Sequence, residues 1–201
     1  MIVDNFAYLR DKLDFSDKSM FYMVQLQQRK KDDESFPANN RTVKTYFIDS
    51  LEDYDRLEPE MKKLSDETGA RVYIRLNRRS YEGVALQVLR ELAQILQDKN
   101  FQHLKNLVPS AAGRVNSEKK GDKLWIVDVD GKSKIEIAGK IGSIVKYFNA
   151  FETLDTIKFK VHTLNGMHLI TNKFDTKAFK ETFPDIDIHK DNPTLLYFKH
   201  D

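Results

Sequence analysis

Leu124-Trp125-Ile126-Val127-Asp128-Val129-Asp130-Gly131 is an apolar run that ends in two carboxylates one residue apart. Side chains alternate faces along a strand, so Asp128 and Asp130 point one way while Val127 and Val129 point into the opposite layer. Two like charges held together raise one another's pKa unless a cation neutralises them, and carboxylate oxygens suit Mg²⁺ or Mn²⁺. The plainer alternative is a strand running into a polar turn, because Asp-Gly is itself a turn signal.

Outward from this strand the chain reads as α+β. The second half predicts a short strand at Lys134 to Ala138, a helix from Ser143 to Phe151, and strands at Thr156 to His162 and Met167 to Thr171. A short helix capped by Asp175 and two closing strands, Ile186 to His189 and Thr194 to Lys199, complete it. In the first half an amphipathic segment from Phe6 to Leu13 precedes strands at Met20 to Arg29 and Thr42 to Ile48. Asp49-Ser50 caps a helix over Leu51 to Thr68 that stops at Gly69. A strand at Arg71 to Leu76 leads to Ser80, which opens a helix striped by Val84, Leu86, Val88, Leu89, Leu92, Ile95 and Leu96. Pro109, Gly113, Gly121 and several charges mark 107–122 as a connection between an N-terminal helix-and-strand module, 1–106, and a C-terminal sheet module, 123–201.

The chain has 201 residues, enough for one sizeable domain or two modules sharing a core. Its 33 Lys and Arg nearly balance 31 Asp and Glu, so net charge says little about partners. It contains no cysteine, which excludes disulfides, thiolate zinc sites and cysteine nucleophiles. Any metal is therefore held by oxygen or imidazole. With neither a basic-then-apolar leader nor an apolar run of ~20 residues, the chain is expected to be cytoplasmic, with no membrane partner.

A second cluster follows the aspartates. In Thr163-Leu164-Asn165-Gly166-Met167-His168, the Asn-Gly pair favours a tight turn with positive φ and brings His168 to the start of the next strand. Such a turn exposes backbone N–H groups able to receive a phosphate beside an imidazole, although a plain hairpin with a partly buried histidine would look the same. Near the C-terminus Asp185, Asp187 and Asp191 lie around a late strand.

The order of these pieces resembles the catalytic core of the archaeo-eukaryotic primase superfamily, the primase-polymerases. A hydrophobic strand with Asp-x-Asp matches Asp128 and Asp130; a small residue, one intervening residue and His match Gly166, Met167 and His168. A hydrophobic residue followed by an acidic one is best met by Ile186-Asp187, with Asp185 or Asp191 as alternatives. Gly166 stands where the family commonly has Ser, and no zinc knuckle is present.

The resemblance implies an RRM-like, mostly antiparallel C-terminal sheet packed on the N-terminal module, with the active site in the cleft between them. It implies metal-dependent transfer from nucleoside triphosphates onto a nucleic-acid strand, as in DNA replication or on mobile elements. Asp128, Asp130 and Asp187 would hold Mg²⁺ or Mn²⁺, His168 and the Asn165-Gly166 turn would touch the triphosphate, and Asp128, Asp130, His168 and Asp187 would form the catalytic set. Partners would be nucleoside triphosphates and single-stranded or template nucleic acid, with a helicase or other replication protein as associate.

Arg75, Arg78 and Arg79 are candidates to bind nucleotide or template, and Tyr73 and Tyr81 to stack a base. A solvated strand-to-helix junction is the simpler reading of Arg78 and Arg79. A catalytically silent nucleic-acid-binding or assembly protein on the same fold would keep the sheet without needing the aspartates and His168 to converge. Asp-Val-Asp-Gly also looks like the first motif of haloacid-dehalogenase-type phosphatases, but it sits late in the chain and Lys132 stands where threonine is expected.

Overall fold

The computed structural model describes residues 1–36, 38–119, 121–151 and 156–199. The protein is α+β, and its described residues form two antiparallel sheets and six α-helices. The first sheet has the order β1 (Ile2–Asp4), β9 (Thr194–Lys199), β4 (Arg71–Ser80), β2 (Met20–Arg29), β3 (Asn40–Ile48); the second has the order β6 (Ile157–His162), β7 (Gly166–Thr171), β5 (Trp125–Asp130), β8 (Asp187–His189). The last strand of the chain thus leaves the second sheet and inserts into the first between β1 and β4. No helix among the described residues is long and apolar enough to cross a membrane.

Alternation in β2 and β4 builds the main core. Tyr22, Val24 and Leu26 on β2 join Val72, Ile74 and Leu76 on β4. Over them lie α1 (Phe6–Arg10) and α2 (Leu51–Thr68), through Phe6, Leu9, Tyr54 and Met61. Ser50 caps α2 by accepting from Asp53 N–H at 3.1 Å, and Gly69 ends it at φ 63°, left-handed backbone that glycine adopts without strain. The opposite face of β2 turns Phe21 and Met23 towards α3 (Tyr81–Asp98) and α4 (Leu107–Arg114).

The second sheet also divides by face. Trp125, Val127 and Val129 pack under α5 (Lys134–Phe151) and α6 (Thr176–Thr182), among Ile144, Phe148 and Phe179. Ile126, Val161 and Ile170 point the other way and join the main core. The face that carries Asp128 is thus apolar where it meets the first sheet and polar beyond.

Three expectations are corrected. The strand expected at Lys134 to Ala138 is the first turn of α5, because Ser133 Oγ accepts from Glu136 N–H at 3.1 Å while Glu136 accepts from Lys132 N–H at 2.8 Å. The expected connection 107–122 contains α4, which tolerates Pro109 because a first-turn residue needs no N–H partner. Arg71 to Leu76 extends to Ser80, since Arg79 and Ser80 pair with Phe21 and Met20.

Candidate active site

In the register of β5 with its neighbours, Asp128 lies directly opposite His168 on β7 and Asp187 on β8, and Asp130 lies opposite Gly166. The aspartate pair, the histidine and the glycine of the two motifs therefore meet on one face. Asp128, Asp130 and His168, together with the loop 163–165, line one wall of a cavity of about 330 Å³. The other wall comes from the first sheet: Gln27 and Arg29 of β2, Lys31, Asn40 of β3, and Arg71 and Tyr73 of β4. His189, Asn192, Pro193 and Leu195 close one side.

Asp128 is the electrostatic centre. Burial first, and Asp130 second, push its carboxyl from an ordinary 3.8 up to about 6. Its Oδ1 is buried without a hydrogen-bond partner, 3.5 Å from His168 Nε2, and its Oδ2 lies 3.9 Å from His189 Nε2. His168 is held down to about 4 by burial and by His189, so at neutral pH the imidazole facing Asp128 is uncharged. Its other nitrogen, Nδ1, lies 2.8 Å from the hydroxyl of Thr194, which ties the ring to β9. An orphaned carboxylate oxygen beside a second carboxylate is a donor set that fits a hard divalent cation. Among the described residues no three His, Asp or Glu side chains are already gathered around one metal position.

Gly166 serves a purpose that the turn reading missed. It does not adopt positive φ; the only glycine among the described residues that does is Gly69. A Cβ at Gly166 would instead fall 2.0 Å from the carbonyl oxygen of Val129. The small residue is required because β7 comes against the backbone of β5 beside Asp130. Asn165 lines the cavity, while Gly166 lies in the ladder.

Asp187 shares the register but is three-quarters exposed, and its carboxylate lies 3.8 Å from Lys180 Nζ. Asp191 is committed elsewhere: it accepts from Arg79 Nη2 at 2.7 Å and from Asn77 Nδ2 at 3.1 Å.

The basic candidates part company. Arg79 is fully buried and donates to Asp191, to the Ala112 carbonyl and to the Asn77 carbonyl. Arg78 turns to the other side of β4, where it meets Glu118 at 2.7 Å and Asp14 at 3.0 Å. Arg75 donates to the Asp191 carbonyl at 2.5 Å. None of the three lines the cavity, and Arg79 is not solvated either. Tyr81 bonds Asp49 at the start of α3, whereas Tyr73 does reach the cavity wall.

Sequence reasoning missed Arg29 and Lys31. Arg29 Nη1 donates to the Tyr73 hydroxyl at 3.0 Å, and neither residue makes an ion pair with a carboxylate among the described residues. Partial burial, with Arg29 and Arg71 close by, lowers the pKa of Lys31. Arg71 itself is neutralised by Asp32 at 2.5 Å. The available signal was the alternation Gln25, Gln27, Arg29 along β2, polar on one face.

No protein-family model, no curated protein and no solved structure matches the chain.

Proposed function

We propose that the chain is a primase-polymerase-like nucleotidyltransferase that transfers nucleotides from nucleoside triphosphates onto a nucleic-acid strand. One observation carries this reading: two short motifs nearly forty residues apart, Asp128-x-Asp130 and Gly166-x-His168, are paired residue against residue on adjacent strands, and Asp128, Asp130 and His168 line one cavity. In this reading the second sheet, with β5 at its centre, is the RRM-like catalytic sheet, and the cavity between the sheets is the active-site cleft.

Asp128 and Asp130 would hold Mg²⁺ or Mn²⁺, with Asp187 joining by a side-chain rotation away from Lys180. When bound, such an ion supplies neutralisation of the triphosphate and activation of the attacking hydroxyl. Neutral His168, oriented through Thr194, is placed to donate from Nε2 to a phosphate oxygen. Asn165 offers a further polar contact at the same wall. Two of the template-binding candidates, Arg78 and Arg79, are given no part, because their guanidinium groups are spent on internal carboxylates and carbonyls.

The haloacid-dehalogenase-type reading has less support, since β5 runs antiparallel to both of its neighbours and the parallel setting of that motif is lacking. A silent nucleic-acid-binding protein would be favoured by the outward turn of Asp187. The test is template-directed incorporation of a labelled nucleotide in the presence of Mn²⁺. Incorporation that disappears in Asp128→Ala/Asp130→Ala supports transfer at this site; equal incorporation by the double variant overturns it.

A further inference from the structure

The apolar stripe on α3 is two stripes. Val84 and Val88 pack against Phe21 and Met23 of β2 and Ala111 and Ala112 of α4, and Ile95 is buried further along the helix. Leu86, Leu89 and Leu96 point outward and remain 48%, 62% and 57% exposed, with exposed Ala93 between them. The outward series Glu82, Leu86, Leu89, Ala93, Leu96 advances by alternating steps of four and three, the spacing of a coiled-coil seam. No described residue covers it.

We infer that this face is an interface between two copies of the chain, with the α3 helices packed antiparallel about a twofold axis midway between Leu89 and Ala93. The spacing from Leu86 through Leu89 and Ala93 to Leu96, three, four and three, reads the same from either end. An antiparallel pair therefore sets Leu86 against Leu96 of the other copy and Leu89 against its Ala93, matching large with small in the central layers. A parallel pair would set Ala93 against Ala93 and leave a void. Antiparallel pairing also brings Glu82 of one copy beside Lys99 of the other, and places each helix N-terminus near a C-terminus.

The exposed leucines, half-buried Leu92 and the flanking aliphatic stems offer on the order of 500 Å² per copy. A symmetric pair then covers about 1,000 Å², the lower bound of a specific interface. The dimer is accordingly weak and concentration-dependent, and it is independent of the reaction proposed for the cavity.

The absence of native cysteine makes the test direct. Leu86→Cys protein mixed with Leu96→Cys protein under mild oxidation should give a disulfide-linked pair, while each variant alone should give far less. Sedimentation of the unmodified chain should show the dimer growing with concentration and lost in Leu89→Glu, whose unchanged thermal melt would show an intact fold. A monomer at every concentration overturns the inference, as does a dimer that persists in Leu89→Glu. Efficient linking of Leu86→Cys to itself would overturn the antiparallel arrangement.

Discussion

Asp128 Oδ1 and His168 Nε2 face each other at 3.5 Å across β5 and β7, one with a raised and the other with a lowered pKa. The shared cause is burial, which penalises the charged form of each group. For Asp128 the native carboxyl stays protonated up to about 6 while an unfolded one ionises near 3.8. Its contribution therefore favours the native state less and less as pH rises through that window. His168 has the opposite sign: the unfolded imidazole takes a proton near 6.5 and the native one only near 4, so acid weakens the fold through His168.

Asp128→Asn should therefore stabilise the metal-free protein by on the order of 2 kcal/mol at neutral or higher pH, and the gain should shrink towards zero as pH falls below about 4. Urea denaturation of both proteins across that range checks this. A gain that does not vary with pH would contradict the burial of Asp128.

Gly166→Ala should cost about 3 kcal/mol or more, because the added Cβ meets the Val129 carbonyl oxygen at 2.0 Å and neither strand can yield without breaking the ladder beside Asp130. Gly139→Ala, in α5 with nothing within 4 Å of the new Cβ, should be neutral or stabilising by about 1 kcal/mol. Denaturation midpoints of the two variants, compared side by side, test the contrast.

Much of this site was legible in sequence for a simple reason. Strand alternation fixes which side of a strand a residue occupies, so Asp128 and Asp130 had to share a face, and the Asn165-Gly166 pair marked the hairpin that puts His168 early in β7. What local pattern does not encode is which sheet a strand joins. The departure of β9 into the first sheet, and with it the Thr194 hydroxyl that holds His168, depends on tertiary pairing with Val72, Tyr73 and Ile74. The same limit hid Arg29 and Lys31, which lie about a hundred residues from Asp128. Gly139 and Gly142 masked the helical period of α5, although Ser133 and Glu136 already spelled its cap.

Arg79 and Asp191 should behave as one structural unit. Arg79→Ala leaves a carboxylate without its main partner and should destabilise by about 3–5 kcal/mol, while Arg79→Ala/Asp191→Ala should cost clearly less than the two single changes added together. Additive costs in a double-mutant cycle would show that the two side chains act separately.

Replacing Arg29 and Lys31 should separate these two cavity cations from Arg75, Arg78 and Arg79 of β4. Arg29→Gln and Lys31→Gln should each weaken nucleoside triphosphate binding by roughly 1–2 kcal/mol with unchanged unfolding. Arg78→Gln should leave that binding unaltered, because its partners are Glu118 and Asp14. Fluorescence titration with a labelled triphosphate distinguishes these outcomes.

The central claim is that Asp128 and Asp130 assemble a metal-dependent nucleotide site, and calorimetric titration of a nucleoside triphosphate in the presence of Mn²⁺ addresses it most directly. The account predicts binding by the unmodified protein that requires Mn²⁺ and disappears in Asp128→Ala. Absence of binding in both proteins, or equal binding in the two, would contradict it.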